Sequence, residues 1–532
     1  MRILVTETIG TAGLELLREH ADVDLRRGLS PSELVDIVGE YDGLVVRSST
    51  QVTGELLRAG ERLRVVGRAG TGVDNIDVGA ATEQGILVVN APAGNSNAVA
   101  EHTLALILAL ARRLFPAVSA LKAGRWEKSQ LQGIEVRGKI LGLVGLGRIG
   151  RMVAAKAKGL EMRVLAYDPY VAPGGAASLG VQLVSLEELL STADFISIHT
   201  PLTQNTHWMI GAEQLDLVKP DAFLVNCARG GLIDEAALCE ALMHGKLAGA
   251  GLDVFEQEPV CNPDLVALGN VIATPHVGAS TAEAQENVSL DVAQAVVDYI
   301  EGRFPETPVN VPYLAPQAAE QMQPYIDLAE RLGAFFVQWR AGISGPIELT
   351  YRGEICEYDT RVLTSAFLAG LLRPITAEPV NVVNARYVAA QSALEVSEMC
   401  LTHAERYGSL ISARMLNGDE TRDIAGTVIN QEPHLVQLDG QSLTCVLQGS
   451  MLVDAHHDRP GIVGNLGQLL GARNVNISFA QMGRAKRGGQ AILILGLDDP
   501  LPQALIPEIL DLPNIVRARA VELPPLPGFD ER

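Results

Sequence analysis

Residues 143–150 read Leu-Val-Gly-Leu-Gly-Arg-Ile-Gly. Gly145, Gly147 and Gly150 keep a G-x-G-x-x-G spacing, and the setting gives that spacing its weight. An apolar run from Lys139 precedes it, and a helix-forming stretch, Arg151 to Lys158, follows. In a strand-turn-helix of this kind the first glycine permits the tight turn, the second lets a pyrophosphate approach the backbone, and the third lets the helix pack closely. Free N–H groups at the helix start then hold phosphate oxygens. Asp168, 18 residues beyond Gly150, closes the next β-rich run, Arg163 to Tyr167. A carboxylate there accepts hydrogen bonds from a ribose diol, and the Pro169 and Tyr170 that follow it, in place of Arg or Lys, favour NAD over NADP.

Downstream of this turn, runs at Phe195 to His199, Phe223 to Asn226, Ala250 to Val254 and Val271 to Thr274 bring the strand total to six, as in a dinucleotide-binding domain. Upstream, short β-rich runs (Ile3 to Thr6, Gly43 to Arg47, Arg64 to Gly67, Ile86 to Asn90) alternate with helical stretches such as Ser32 to Val38, the rhythm of a second doubly wound parallel sheet. Ser96 reads as the N-cap of an Ala/Leu-rich helix, Ala98 to Arg113, apolar on more than one face and therefore a buried bridge between the two sets. Ala282 to Glu301 reads as a long helix, and Pro305 to Pro312 as a linker.

Beyond the linker the pattern is α+β, with helical stretches near Ile326 to Phe336 and Thr364 to Leu371 and strands near Ile347 to Tyr351 and His434 to Leu438. From Cys445 the order is strand, helix, strand, strand, helix, strand, beginning with a strand from Val446 to Ala455, which predicts a ferredoxin-like βαββαβ module. The chain thus divides into 1–97 plus 283–312, 98–282, 313–444 and 445–532.

A length of 532 residues allows three or four globular cores, and the composition is that of a globular protein: 47% hydrophobic, 20% charged and 4% aromatic. A net charge of -21 without a long Lys/Arg run argues against nucleic acid and anionic membrane as partners, and leaves any anionic ligand to a few local cations. The six cysteines include no C-x-x-C pair and no His at metal-ligand spacing, so no metal is expected and reduced thiols in a cytoplasm are the simplest reading. Met1 to Thr6 already reads as a strand rather than a leader, and the longest apolar run, near Leu104 to Leu110, is too short to span a bilayer.

Hydride transfer from an alcohol needs a base, a cation to orient a carboxylate, and a dry site. Arg229 follows the strand Phe223 to Asn226, and its planar fork suits a carboxylate. His276 follows Val271 to Thr274 and suits a proton shuttle; Glu258, in Asp253-Val-Phe-Glu-Gln-Glu, is the carboxylate placed to fix its tautomer. Taken singly each has an ordinary structural explanation, so the case rests on all three lying at strand ends downstream of one fingerprint.

Leu143 to Gly150, Asn226-Cys-Ala-Arg-Gly-Gly-Leu-Ile-Asp234 and Thr274-Pro-His-Val-Gly-Ala-Ser280 resemble the three signature segments of the D-isomer-specific 2-hydroxyacid dehydrogenases. With Val45-Val-Arg-Ser-Ser49, Gly67-Arg-Ala-Gly-Thr-Gly-Val-Asp-Asn75 and the C-terminal modules, the whole chain is similar to the long members of that family, which oxidise 3-phosphoglycerate. The resemblance implies His276 as acid/base, Glu258 as its partner, and Arg229 as carboxylate anchor. It implies NAD contacts at Thr71, Gly145, Gly147, Arg148, Ile149, Gly150, Asp168, Thr200, Cys227, Ala228, Arg229, Asp253, His276 and Gly278. Substrate contacts fall to Arg47, Ser48, Gly70, Gly72, Asn95, Arg229 and His276, with Arg47 or Arg68 reaching the phosphate. The last module resembles an ACT domain, in which His456, Asp458 and Asn476 would hold an effector, L-serine, in a homo-oligomer (dimer or tetramer). A hydroxypyruvate or glyoxylate reductase of the same family, and a nucleotide-sensing scaffold built on the same core, are the rival readings.

Overall fold

The computed structural model describes residues 1–259, 262–404, 406–417 and 420–526; Cys261 and the end of the 445–532 segment lie outside them. The first sheet contains β1 (Arg2–Val5), β2 (Asp22–Leu25), β3 (Gly43–Val46), β4 (Val65–Arg68) and β5 (Leu87–Asn90), all parallel in the order β2-β1-β3-β4-β5. Its strands are apolar at successive positions because both faces are covered. Ile3, Val5, Val45 and Val89 point into one core with Val288, Val292 and Val296, while Leu4, Leu44, Val46 and Val88 point into another with Leu34, Val38 and Leu57.

The second sheet has β6 (Ile140–Val144), β7 (Arg163–Tyr167), β8 (Gln182–Leu183), β9 (Phe195–Ile198), β10 (Phe223–Asn226), β11 (Gly249–Leu252) and β12 (Val271–Ala273), all parallel, ordered β12-β11-β10-β9-β6-β7-β8. Seven strands replace the six expected, and β2 was also not foreseen. Both additions are sheet edges: β8 is two residues long, and β2 carries Asp22 and Asp24.

The bridging helix is Ser96–Ala111, so the expected span Ala98 to Arg113 is shifted and Ser96 is not the cap. Asn95 is the N-cap, while Ser96 is buried in the first turn with its hydroxyl on the Pro92 carbonyl at 3.4 Å. The helix lies mostly buried, with Leu106 and Leu110 against Gly251 of β11. No single helix among the described residues is long and apolar enough to cross a membrane.

The chain returns to the first sheet through the helix Ala282–Ile300. Its Glu286 accepts the Thr11 and Ala12 amides at 3.0 and 3.2 Å, capping the helix Thr11–His20, which has no side-chain cap of its own. The 305–312 segment is pinned rather than loose: Val309 N–H donates to the Val88 carbonyl at 2.8 Å, and the Asn310 side chain accepts from Val88 N at 2.9 Å and donates to the Ile86 carbonyl.

A mixed six-stranded sheet follows: β13 (Ile347–Gly353), β14 (Val396–Leu401), β15 (Ser409–Asn417), β16 (Glu420–Ile429), β17 (Glu432–Leu438) and β18 (Gln441–Val446), ordered β14-β13-β15-β16-β17-β18. It packs on the helices Pro316–Arg340 and Arg361–Leu372. Cys445 and Val446 pair with Leu435 and His434 of this sheet, so the strand expected from Val446 to Ala455 is two strands.

The final module holds β19 (Gly449–His457), β20 (Ile477–Arg484), β21 (Gln490–Leu497) and β22 (Ile515–Leu523), ordered β20-β21-β19-β22, with the helices Ile462–Ala472 and Leu505–Leu510 on one face. Its other face, including Met451, Val453 and Val521, shares one core with the helix Pro316–Arg340. Arg331 rivets that junction. Buried among these elements, it donates to the Leu447 and Pro524 carbonyls at 3.0 and 2.6 Å while pairing with Asp327 at 2.8 Å.

Replacing Arg331 by Ala leaves both carbonyls without this donor inside the junction. The variant is expected to lose about 3 kcal/mol of stability, read by urea unfolding, and to gain protease cuts near residues 447–449.

Candidate active site

The C-terminal ends of the second sheet carry the predicted residues in a row. Reading across the sheet, β12 leads to His276, β11 to Asp253 and Glu258, β10 to Cys227, Ala228 and Arg229, β9 to Thr200, β6 to the Gly145 turn, and β7 to Asp168. The chain leaves β6 for β7 on one side and adjoins β9 on the other, the switch point at which open α/β sheets bind ligands.

The dinucleotide turn has the geometry its glycines predict. Gly145 has φ +101°, and a Cβ there would lie 2.7 Å from the His199 carbonyl; one on Gly150 would lie 2.3 Å from the Gly145 carbonyl. Gly147 faces open space at the start of the helix Arg148–Gly159, which has no side-chain cap. Arg148 is exposed and Ile149 half-buried beside this opening. Asp168 accepts the Leu146 amide at 2.8 Å and the Tyr170 amide at 2.9 Å, tying the turn to the end of β7. Each carboxylate oxygen keeps a further lone pair for a ribose hydroxyl, so the residues present fit a dinucleotide. Thr200 sits half-buried with its hydroxyl on the Met209 sulfur, and Cys227 is buried, which pushes its thiol up to about 12.

His276 has a left-handed backbone, φ +52°, held by its N–H on the Asp253 carbonyl at 2.9 Å. Its Nδ1 lies 2.7 Å from Glu258 Oε2, and the Phe255 amide donates to Glu258 Oε1 at 3.2 Å. The loops after β10 and β11 touch: a Cβ on Gly230 would lie 1.8 Å from the Phe255 carbonyl. Arg229, Glu258 and His276 therefore stand on three adjacent strand ends.

Behind them Asp253, only 1% exposed, accepts the Thr274 hydroxyl at 2.6 Å and the Val277 and Gly278 amides at 2.8 and 2.7 Å. It supports His276 from beneath rather than facing open space.

The first sheet supplies the facing lip. The Arg229 guanidinium crosses to it, 3.4 Å from Asp74 and 2.3 Å from where a Gly72 Cβ would stand. Thr71 donates to Asn95 Oδ1 at 2.6 Å, so a residue assigned to the cofactor and one assigned to substrate share one hydrogen bond. Arg47 follows β3, its amide on Glu7 at 2.9 Å and its guanidinium on the Thr8 carbonyl at 3.3 Å, and Ser48 beside it is exposed.

Arg68 extends from β4 under Gly70, and its Nε has no hydrogen-bond partner among the described residues. Burial, then the charge of Arg229 and further that of Arg47, pulls the Arg68 guanidinium below its ordinary value against the opposing pull of Asp74. The sequence offers Arg68, beside Arg47, as a cation for the phosphate; its mutual repulsion with Arg229 and Arg47 marks the cleft as a place for an anion.

The effector trio does not assemble within one chain. His456 is buried against Asp454, Nδ1 to Oδ1 2.6 Å, on the helix-covered side of β19. Asp458 accepts Arg484 and the Gly488 amide, each at 3.0 Å, whereas Asn476 donates to Asp498 at 2.6 Å. Asp458 therefore lies beside the Gln490 end of β21 and Asn476 beside its Leu497 end, about 25 Å apart at strand rise.

Burial alone would raise the Asp253 carboxyl, but hydrogen bonds from His102, Thr274, Val277 and Gly278 outweigh it and hold it below its ordinary 3.8. A carboxyl depressed by folding contributes stability above its unfolded value and loses that contribution as pH falls through the lower folded one. Asp253→Asn is expected to cost about 2 kcal/mol at neutral pH. In urea unfolding that deficit should stay constant down to pH 3.8 and shrink below it.

Known proteins resemble the chain along nearly its whole length. Residues 104–278 match the family described as D-isomer specific 2-hydroxyacid dehydrogenase, NAD binding domain, residues 321–439 the D-3-phosphoglycerate dehydrogenase intervening domain, and residues 450–514 the ACT domain. The D-3-phosphoglycerate dehydrogenase of Methanocaldococcus jannaschii is 42% identical over 98% of this chain and 100% of its own length. That of Bacillus subtilis is 37% identical over 98% and 100%. Among solved structures, the TT0316 protein from Thermus thermophilus is 39% identical with a TM-score of 0.54, covering 58% of this chain and 100% of its own. A glyoxylate reductase from Paecilomyes thermophila is 31% identical with a TM-score of 0.54, covering 58% and 98%. The chain belongs to the D-isomer-specific 2-hydroxyacid dehydrogenases, and within them to the D-3-phosphoglycerate dehydrogenases that carry an intervening and an ACT domain.

Proposed function

We propose that this chain reversibly oxidises D-3-phosphoglycerate to 3-phosphohydroxypyruvate, the first step of L-serine synthesis, with His276, Glu258 and Arg229 as its catalytic set. The observation that carries the reading is the 2.7 Å contact between His276 Nδ1 and Glu258. With the Nδ1 proton donated to the carboxylate, Nε2 is the lone-pair nitrogen that takes the substrate hydroxyl proton, and Glu258 stabilises the imidazolium that results. NAD, held on the Gly145 turn, supplies the acceptor for the C2 hydride. Arg229 binds the carboxylate and polarises the C2 oxygen from between the two lips. Arg47 and Arg68 take the phosphate, which relieves the repulsion among the three guanidiniums. The glyoxylate reductase likeness stops at 58% of the chain, whereas phosphoglycerate dehydrogenases match 98%, so the reductase reading is not favoured.

The working form we infer is a cytoplasmic homo-oligomer. Supporting a second copy, the helix Leu114–Lys122 exposes Leu114, Phe115, Val118 and Leu121, and Trp126 beyond it is 82% exposed. An L-serine pocket that uses both Asp458 and Asn476 would then lie between two copies, because the two residues sit at opposite ends of β21.

Side-by-side turnover of 3-phosphoglycerate and glycerate tests the substrate: the phosphorylated acid should be strongly preferred, and indifference to it would overturn the assignment. His276→Ala should lower kcat/KM by about 100- to 10,000-fold with NAD affinity retained. Arg68→Ala should raise KM for phosphoglycerate and leave turnover of glycerate little changed. Inhibition by L-serine should disappear in Asn476→Ala.

A further inference from the structure

The intervening sheet carries a pair of cysteines that the dehydrogenase chemistry does not use. Cys400 stands near the end of β14, level with Tyr351 of β13, and β14 is the exposed edge of its sheet. Cys356 lies in the short 3-10 turn Glu354–Glu357 that follows β13, and this reversal brings it back against β14. Its thiol donates to the Leu401 carbonyl at 3.5 Å, while the Cys400 sulfur lies 3.5 Å from the Thr360 hydroxyl. Each sulfur thus sits beside the other's neighbours, close enough for Cys400 to act on the Cys356 thiol. Cys400 is exposed and Cys356 half-buried, whereas Cys227, Cys239 and Cys445 are buried.

We propose that Cys356 and Cys400 form a reversible intrachain disulfide that staples the Glu354–Glu357 turn to the edge strand β14. With each sulfur already placed beside the other's neighbours, closure calls for side-chain rotation rather than a new fold.

The two thiols are not equivalent. Cys400 is exposed and is the first to react, whereas burial, and after it the neighbouring Cys400, pushes the Cys356 thiol up to about 11. The oxidant class is a small-molecule disulfide such as oxidised glutathione. The Cys400 thiolate attacks one of its sulfurs, the glutathione S–S bond breaks, and one glutathione leaves as a thiol, its proton drawn from solvent. Cys356 then loses its proton to solvent and attacks the Cys400 sulfur, expelling the second glutathione. Two protein thiols are oxidised and one glutathione disulfide is reduced to two thiols. The closed loop encloses the helices Arg361–Leu372 and Ala385–Gln391.

The test incubates the full chain with oxidised glutathione under native conditions, quenches by alkylation and maps the peptides. The expected product is one cross-linked peptide pair containing Cys356 and Cys400, lost on adding dithiothreitol with recovery of both alkylated cysteines. Cys356→Ser should arrest at a glutathione mixed disulfide on Cys400, and Cys400→Ser should leave Cys356 unmodified over the same exposure. A wild-type chain that stops at the mixed disulfide on Cys400, links either residue to Cys261, or shows no oxidation at either site overturns the proposal. The wild-type map decides by itself if either variant fails to fold.

Discussion

A parallel sheet cannot leave a face in water, because every crossover lays a helix across it. That constraint shapes the first two-thirds of this molecule. The first sheet has too few local helices to cover both faces, and the missing cover comes from Ala282–Ile300, a helix reached only after the chain has built the entire second sheet. The chain therefore crosses between the sheets twice, and their C-terminal edges, which carry the irregular and reactive residues, are brought face to face. The cleft is a by-product of burying Val288, Val292 and Val296.

Charge is distributed on the same plan. In a chain of net charge -21, three arginines gather at the cleft, one of them with an unpartnered nitrogen. Such an arrangement stores repulsion until an anion arrives, and a doubly charged phosphate with a carboxylate matches it better than a carboxylate alone. Asp253 shows the opposite solution, a buried anion saturated with donors that gives the His276 backbone its unusual conformation.

What could be read from sequence follows from these forces. Central parallel strands such as Leu4 to Val5 and Leu224 to Val225 are apolar throughout and were legible, as were Arg229, Glu258 and His276, because strand ends beyond a glycine turn are few. Edges were not: Asp22-Val-Asp-Leu and Gln182-Leu lack the burial that writes a pattern. The helix start near Ser96 was displaced because a serine there serves tertiary packing, not capping. The antiparallel strands β15 and β16, with Arg, Asp and Ser along them, yield no run to find. His456 was placed in a ligand pocket because residue type says nothing of which side of a strand is covered, and the separation of Asp458 from Asn476 emerges only from strand register.

The junction at Arg331 acquires a mechanical meaning once its far end is traced. The ACT module and the intervening sheet share one core, and Trp339 stacks beneath Arg517 at 4.2 Å, so the two turn together. The described hydrogen bonds that leave this combined body go to the first sheet's unit: Asn381 donates to the Gly85 carbonyl at 2.7 Å, and Tyr387 meets Glu83. The body is a lever grafted onto one jaw of the cleft. A load on its tip would enter the molecule through the jaw that holds Arg47 and Arg68, the one to which these hydrogen bonds run.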